Sequence, residues 1–501
     1  MIHIDGNSLT LEQVWKVCHE DEQVRIDAAC LPAMEKSAEQ VAQFVRTGKI
    51  VYGVSTGFGA LASVSIDPGA VGELQRNIIL SHAAGVGELF EAPLVRGMML
   101  LRANSLVKGF SGIRPSSVSL LVDMLNKGIH PLVPTQGSVG ASGDLAPLAH
   151  IAMAMMGQGM VEWKGKRLAA ADALQQAGLK SLEPVQKEGL ALLNGTQMMN
   201  AVLCEALRRS LQLLEWVMVS AAMSVDALRA STIPFDPRIQ QLRPHPGQQC
   251  VARHMNELLE GSTIRESHKN CGKVQDAYSL RAIPQVYGAV WDTVEYVRQV
   301  VEREMNSVTD NPLIFGEEGL SGGNFHGEPL ALVADFLSIA LCELGSITER
   351  RIDRLVNPMV SSLPAFLSRG SQGLHSGYML WQYTAAALVS ENKSLSHPAS
   401  VDSIPTSAYQ EDHVSMGSIA ARKALSILQN AEKIVAIETM LALRGLAFLK
   451  PLETGRRLLP LVEQLEGLLQ PYTGDRYFGD DFQAILDWIR THPVPVAGFH
   501  S

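Results

Sequence analysis

Gly137-Ser138-Val139-Gly140-Ala141-Ser142-Gly143-Asp144-Leu145-Ala146-Pro147-Leu148-Ala149-His150 is the stretch that organises the chain. From Gly137 to Gly143 the residues are small, unable to fill a core and open to close approach of one backbone to another. At Asp144 the composition turns helical. Asp144 suits the N-cap, and Pro147 falls in the first turn, where a missing N–H costs little. The positive end of such a helix points back at Ser142.

Glycine content alone is compatible with a flexible loop before a helix or with an anion-binding loop. A P-loop would follow its glycine with Lys-Ser/Thr, which is missing, and a dinucleotide fingerprint follows a β-strand, whereas Pro131 and Pro134 interrupt the approach. A third reading takes Ala141-Ser142-Gly143 as a unit. In a tightly bent loop the Gly143 nitrogen can reach the Ala141 carbonyl carbon. Cyclisation with loss of water, and dehydration of Ser142, would leave an electrophilic exocyclic methylene. Glycine alone leaves that nitrogen so unhindered.

The run Gly-Ser-Val-Gly-Ala-Ser-Gly-Asp-Leu-Ala-Pro-Leu-Ala-His resembles the signature of the aromatic amino acid ammonia-lyases and aminomutases. The resemblance implies that Ala141, Ser142 and Gly143 form 4-methylideneimidazol-5-one (MIO), with no external cofactor. It also implies a homotetramer whose active sites are shared between subunits.

Bulk properties bound the rest. With 501 residues, the chain can bury a large core. Lys and Arg total 42 against 51 Asp and Glu, a net charge of −9, and no basic run suggests nucleic acid or an anionic membrane. Small molecules and further copies of the chain are the expected partners. The start, Met1-Ile2-His3-Ile4-Asp5-Gly6, lacks the pattern of a signal peptide, and no stretch approaches about eighteen uninterrupted apolar residues. Cys18, Cys30, Cys204, Cys250, Cys271 and Cys342 show neither C-x-x-C pairs nor metal spacing, which fits reduced thiols in a cytoplasmic protein with no metal site.

The expected fold is mainly α: a long helical bundle with a smaller mixed N-terminal region. That region covers residues 1–108 and carries a tyrosine loop; a continuous helical domain covers 109–501. In the first, Lys49–Val54 has strand-like residues leading into the glycine-rich Ser55–Ala60, and helical periodicity marks Val71–Ser81 and Pro93–Leu106. In the second, long helical patterns cover about Lys187–Ala230, Pro284–Ser307, Glu328–Val356, Gly377–Lys393 and Ser415–Phe448. Their apolar residues are spread too widely for a surface stripe, so these helices should be buried.

Amine elimination from an α-amino acid must remove a poorly acidic β-hydrogen and expel a poor leaving group, so it needs an electrophile and a positioned base. Tyr52, before the Gly57-Phe58-Gly59 loop, reads by itself as a packed aromatic. In Tyr-Gly-Val-Ser-Thr-Gly-Phe-Gly it is similar to the family's catalytic tyrosine, which removes that proton. His82 reads as a helix-end histidine; the resemblance puts it on the substrate's ring. Asn194, in a polar patch that interrupts a helical pattern, is implied to hold the prosthetic group and the substrate carboxylate.

Arg281 could serve in an ordinary salt bridge, although guanidinium is also the best bidentate partner for a carboxylate. In Gln275-Asp276-Ala277-Tyr278-Ser279-Leu280-Arg281 the resemblance gives it the substrate carboxylate, with Gln275 and the catalytic Tyr278 beside the prosthetic group. Phe325 is implied near the MIO ring, and His326 reads as structural. Glu411 in Gln410-Glu411-Asp412-His413 resembles the histidine-specific branch, where it pairs with imidazole or amine. Tyr409, Trp381 and Tyr383 depart from that branch. The expected reaction is L-histidine to trans-urocanate and ammonia. The alternatives are a tyrosine or phenylalanine ammonia-lyase or 2,3-aminomutase with the same electrophile, or a non-catalytic helical scaffold or ligand-binding protein.

Overall fold

The computed structural model describes residues 1–494 apart from Asn270 and Gln372. It is mainly helical, with a few strands of two to four residues. The chain groups into two compact units that interleave along the sequence. The first consists of Met1–Arg208, Arg298–Asp335 and Pro398–Arg422; the second takes Arg209–Val297, Phe336–His397 and Lys423 onward. Helices Gln197–Ala227, Ile283–Met305, Glu328–Val356 and Gly417–Ala447 each give residues to both units, so no single cut near residue 108 separates them.

In the first unit, helix Leu11–His19 opens with a capping box, Thr10 and Gln13 satisfying each other's backbone amides. Helix Leu31–Thr47 stops at Gly48, which takes the left-handed conformation that helix ends favour. Helix Val71–His82 ends within one residue of the expected Ser81, and Ala92–Leu106 matches the second periodic segment. Lys49–Val54 is not a strand. Val51 donates to the Ser55 hydroxyl at 3.0 Å and Gly53 to the Thr56 hydroxyl at 3.1 Å. These side chains take the amides a ladder would need and hold a turn, with Gly53 at φ 63. Ahead of the 137–150 loop, Pro134–Gln136 does form a short strand, antiparallel to Val86–Leu89.

The long patterns appear as Ile283–Met305, Glu328–Val356, Met379–Leu395 and Gly417–Ala447. The stretch from Lys187 to Ala230 is two helices, Glu188–Leu193 and Gln197–Ala227, because Asn194–Thr196 leave helical geometry. Glu328–Val356 is long and apolar enough by composition to cross a membrane, and 61% of its most apolar window is buried inside the protein. That is the behaviour of a core helix.

The second unit encloses a buried polar network. Arg351 and Glu438 are fully buried and paired at 2.5 Å, Ser220 and Ser224 donate to the same carboxylate at 2.7 and 2.8 Å, and Arg351 also donates to Tyr287. Both charges are compensated, so the pair is tolerated, but removing one partner strands the other. Glu438→Ala is expected to destabilise the protein by about 3–5 kcal/mol, read as a lower denaturation midpoint, and Glu438→Gln by less. Equal stability of parent and alanine variant would contradict this role.

Candidate active site

The Gly137–Asp144 loop is fixed from several sides within the first unit. Gly137, Gly140 and Gly143 have φ of 137, 68 and 71 degrees, values open mainly to glycine. Met416 donates to the Val139 carbonyl at 2.9 Å, and the Ser415 hydroxyl to the Gly140 carbonyl at 2.9 Å. Ser418 donates to the Ser138 carbonyl. Gly143 forms a parallel bridge with Gly195, and Asp144 donates to the Gly195 carbonyl at 2.7 Å. A Cβ on Gly143 would collide with the Gly195 backbone. The loop is therefore specified at Gly143, which has no room for any side chain.

Asp144 stands at the N-cap of helix Leu145–Met155, but its side chain makes no bond to that helix. It accepts instead from the Met199 amide at 2.9 Å, in the first turn of Gln197–Ala227, and from the Ser138 hydroxyl at 3.1 Å. The local reading of a cap fails because the carboxylate satisfies a neighbouring helix N-terminus. Complete burial raises its pKa to about 7, against the lowering effect of those two bonds. A raised carboxyl pKa means that the folded state holds the proton more tightly than the unfolded chain. The group's contribution to stability therefore falls as pH rises from about 4 to about 7. Asp144→Asn removes that slope, so its melting temperature relative to the parent's should rise between acid and mildly alkaline pH. A constant difference would refute the assignment.

Asn194 ends helix Glu188–Leu193. Its amide donates to the Ser142 carbonyl at 2.8 Å, while its Oδ1 is buried without a partner. Buried polar atoms are rarely left unpaired, so an orphaned acceptor beside Ser142 marks a place where another donor fits. The break that positions Asn194 is held by Arg102, 1% exposed, which donates to the Ala191 carbonyl at 3.0 Å and to Gln197 at 2.9 Å. The buried Lys187–Asp310 pair, at 2.6 Å, fixes the adjoining Asn311 loop through the Asn311 amide.

Tyr52, His82, Ser142, Asn194, Phe325 and Glu411 line one cavity of about 560 Å³ in this unit. The Tyr52 hydroxyl accepts from the Gly59 amide at 3.1 Å, and its ring meets Phe58 edge-on at 6.4 Å. Ser142 donates to one carboxylate oxygen of Glu411 at 2.6 Å, and Thr406 donates to the other at 2.6 Å. Ala141 is 5% exposed. His82 is half-buried, and desolvation lowers its pKa, keeping the imidazole neutral. His326 stacks on His413 at 5.7 Å and accepts from the Glu328 amide at 3.3 Å, a structural role at a helix start.

Gln275, Tyr278 and Arg281 are not in that cavity. They line another, in the second unit, with Arg229, Arg265, Lys269 and Lys273. There the Arg281 guanidinium lies 4.4 Å from the centre of the Tyr278 ring, and its Nε is buried without a partner. Trp381 packs on Phe482 at 5.1 Å, and Tyr383 and Tyr409 are 57% and 81% exposed; none of the three lines the first cavity. Among the described residues no cluster of His, Cys, Asp and Glu could hold a metal, and all six cysteines are unpaired.

Phe58, Ser81, Leu190 and Asn311 also line the Tyr52 cavity and were not among the expected site residues. Asn311 sat in an Asp-Asn-Pro string that reads as turn chemistry. The buried supports had a visible signal in single charges set in apolar runs, Arg102 after Met98-Met99-Leu100-Leu101 above all.

Comparisons with known proteins identify the family. The profile of the family described as aromatic amino acid lyase matches residues 9–466. A histidine ammonia-lyase of Deinococcus radiodurans is 51% identical over 476 residues, 94% of this chain and 90% of that protein. The crystal structure of histidine ammonia-lyase from Trypanosoma cruzi superposes with a TM-score of 0.91 at 40% identity, covering 98% of this chain and 93% of that one. Tyrosine aminomutase from Streptomyces globisporus does so with a TM-score of 0.93 at 38% identity, covering 98% and 96%. The chain belongs to the aromatic amino acid lyase family.

Proposed function

We propose that the protein is a histidine ammonia-lyase, converting L-histidine to trans-urocanate and ammonia with an MIO group made from its own chain. The observation that carries this is the seat of Ser142, between the Asn194 amide on its carbonyl and the Glu411 carboxylate on its hydroxyl, in one cavity with Tyr52 and His82. The residues fit the group. Gly143 is left-handed and has no room for a side chain, the Ser142 hydroxyl that would leave as water is held against the Glu411 carboxyl group, and Asn194 holds an unused acceptor beside it. Once formed, MIO supplies an electrophilic methylidene that draws electrons from the substrate's nitrogen.

The chain's own residues do the rest. Tyr52 takes the β-proton on its phenol oxygen. Asn194 and Arg281 hold the carboxylate, and His82 with Glu411 reads the imidazole. Gln275, Tyr278 and Phe325 surround the prosthetic group. Because Gln275, Tyr278 and Arg281 line a different cavity, the proposal includes a homotetramer in which neighbouring subunits complete each site. A cytoplasmic location accords with six unpaired thiols. The histidine ammonia-lyases among the relatives, one of them 51% identical, favour this substrate over tyrosine or phenylalanine.

A substrate panel tests it. L-histidine should give ultraviolet-absorbing urocanate, while L-tyrosine and L-phenylalanine should give little coumarate or cinnamate. The intact chain should weigh two water molecules less than its sequence. Coumarate, cinnamate or a β-amino acid as the main product would transfer the enzyme to another branch, and an unmodified mass would remove the electrophile.

A further inference from the structure

Ser81 and His82 close helix Val71–His82, and both line the Tyr52 cavity. The Ser81 hydroxyl lies 3.3 Å from the Ile78 carbonyl, as a donor, and 3.0 Å from Nδ1 of His82. A carbonyl only accepts, so the hydroxyl that donates to Ile78 turns a lone pair toward the imidazole. The Ile78 carbonyl acts on the same ring as a second acceptor. With the hydroxyl so turned, Nδ1 is the ring atom that gives it a proton.

We propose that Ser81 is a positioning residue that fixes His82 as the Nδ1–H tautomer, leaving the Nε2 lone pair as an acceptor for an N–H of the substrate's ring. The deeper claim rests on the histidine reading given above. Burial keeps the imidazole neutral, so Nε2 carries no competing proton. Glu411, which lines the same cavity, accepts from the Thr406 hydroxyl, and the Ser142 hydroxyl it also accepts from is lost on ring formation, so its carboxylate offers acceptor capacity. The ring subsite thus favours groups that donate, as imidazole N–H does and phenyl does not. An imidazole methylated on one ring nitrogen offers only a lone pair on the other, and this site penalises it.

The test uses Ser81→Ala and Ser81→Thr in the full-length enzyme, with L-histidine as substrate and ring-N-methylhistidines as competitive inhibitors. Ser81→Ala should raise KM for histidine about tenfold, the size of one net hydrogen bond, with kcat changed by no more than about twofold. The advantage of histidine over the methylated ligand should shrink, because the freed ring can now donate from Nε2. Ser81→Thr should restore both values. Equal weakening of both ligands, an unchanged KM, or no rescue by threonine would overturn the inference. Solid-state nitrogen spectra of histidine-labelled enzyme, with His82→Gln identifying the resonance, read the tautomer without substrate. The Nε2–H form there defeats the inference outright, whereas an enzyme of the expected tautomer that ignores histidine defeats only the substrate reading.

Discussion

Ser142→Ala is expected to release no measurable ammonia, a loss of more than about 10³-fold, the scale on which removal of a covalent participant acts. Alanine keeps the Cβ and the backbone but has no hydroxyl to lose, so no methylidene can form. The chain should then keep its sequence mass minus at most the water of ring closure. Alanine leaves Glu411 without the donor that accompanies it at 2.6 Å before ring formation, as ring formation itself would, and both groups are half-buried, so folding should be little affected. Loss of turnover with unchanged circular dichroism and oligomeric state is the expected pair of readings. An alanine variant that still makes urocanate at more than a few per cent of the parental rate would eliminate the serine-derived electrophile.

Tyr52→Phe should cost about 10²–10⁴ in kcat, the range for removing a positioned general base. The ring still packs edge-on against Phe58, and only the bond from the Gly59 amide is forfeited. The mass lost to ring formation should remain, because Tyr52 plays no part in it. This separates the base from the electrophile: a variant with full mass loss, intact substrate binding and little turnover fits, whereas parental kcat would assign proton removal elsewhere.

Much of the fold could be read from residues because long helices repeat one local rule. Glu328–Val356 was expected to the residue, and Gly417–Ala447 to within two at its start and one at its end. Lys49–Val54 misled because β-branched residues signal a strand only when a partner strand takes their amides, and here Ser55 and Thr56 do so. Asp144 misled for a related reason: cap chemistry is written locally, but the helix it satisfies lies some fifty residues further on, at Met199. At the site, Tyr52, His82, Ser142, Asn194, Phe325 and Glu411 could be collected because their motifs are local strings. That the hydroxyl of Ser142 meets Glu411, across 269 positions of chain, is a product of tertiary packing that no spacing encodes.

The pairing of Gly143 with Gly195 has a consequence for quality control. The tripeptide is held in its bent form by the gap between helices Glu188–Leu193 and Gln197–Ala227, which lies some fifty residues further along the chain. Under the proposed chemistry, ring closure would therefore wait for that clamp, and a misfolded copy would keep an ordinary, unreactive peptide at this place.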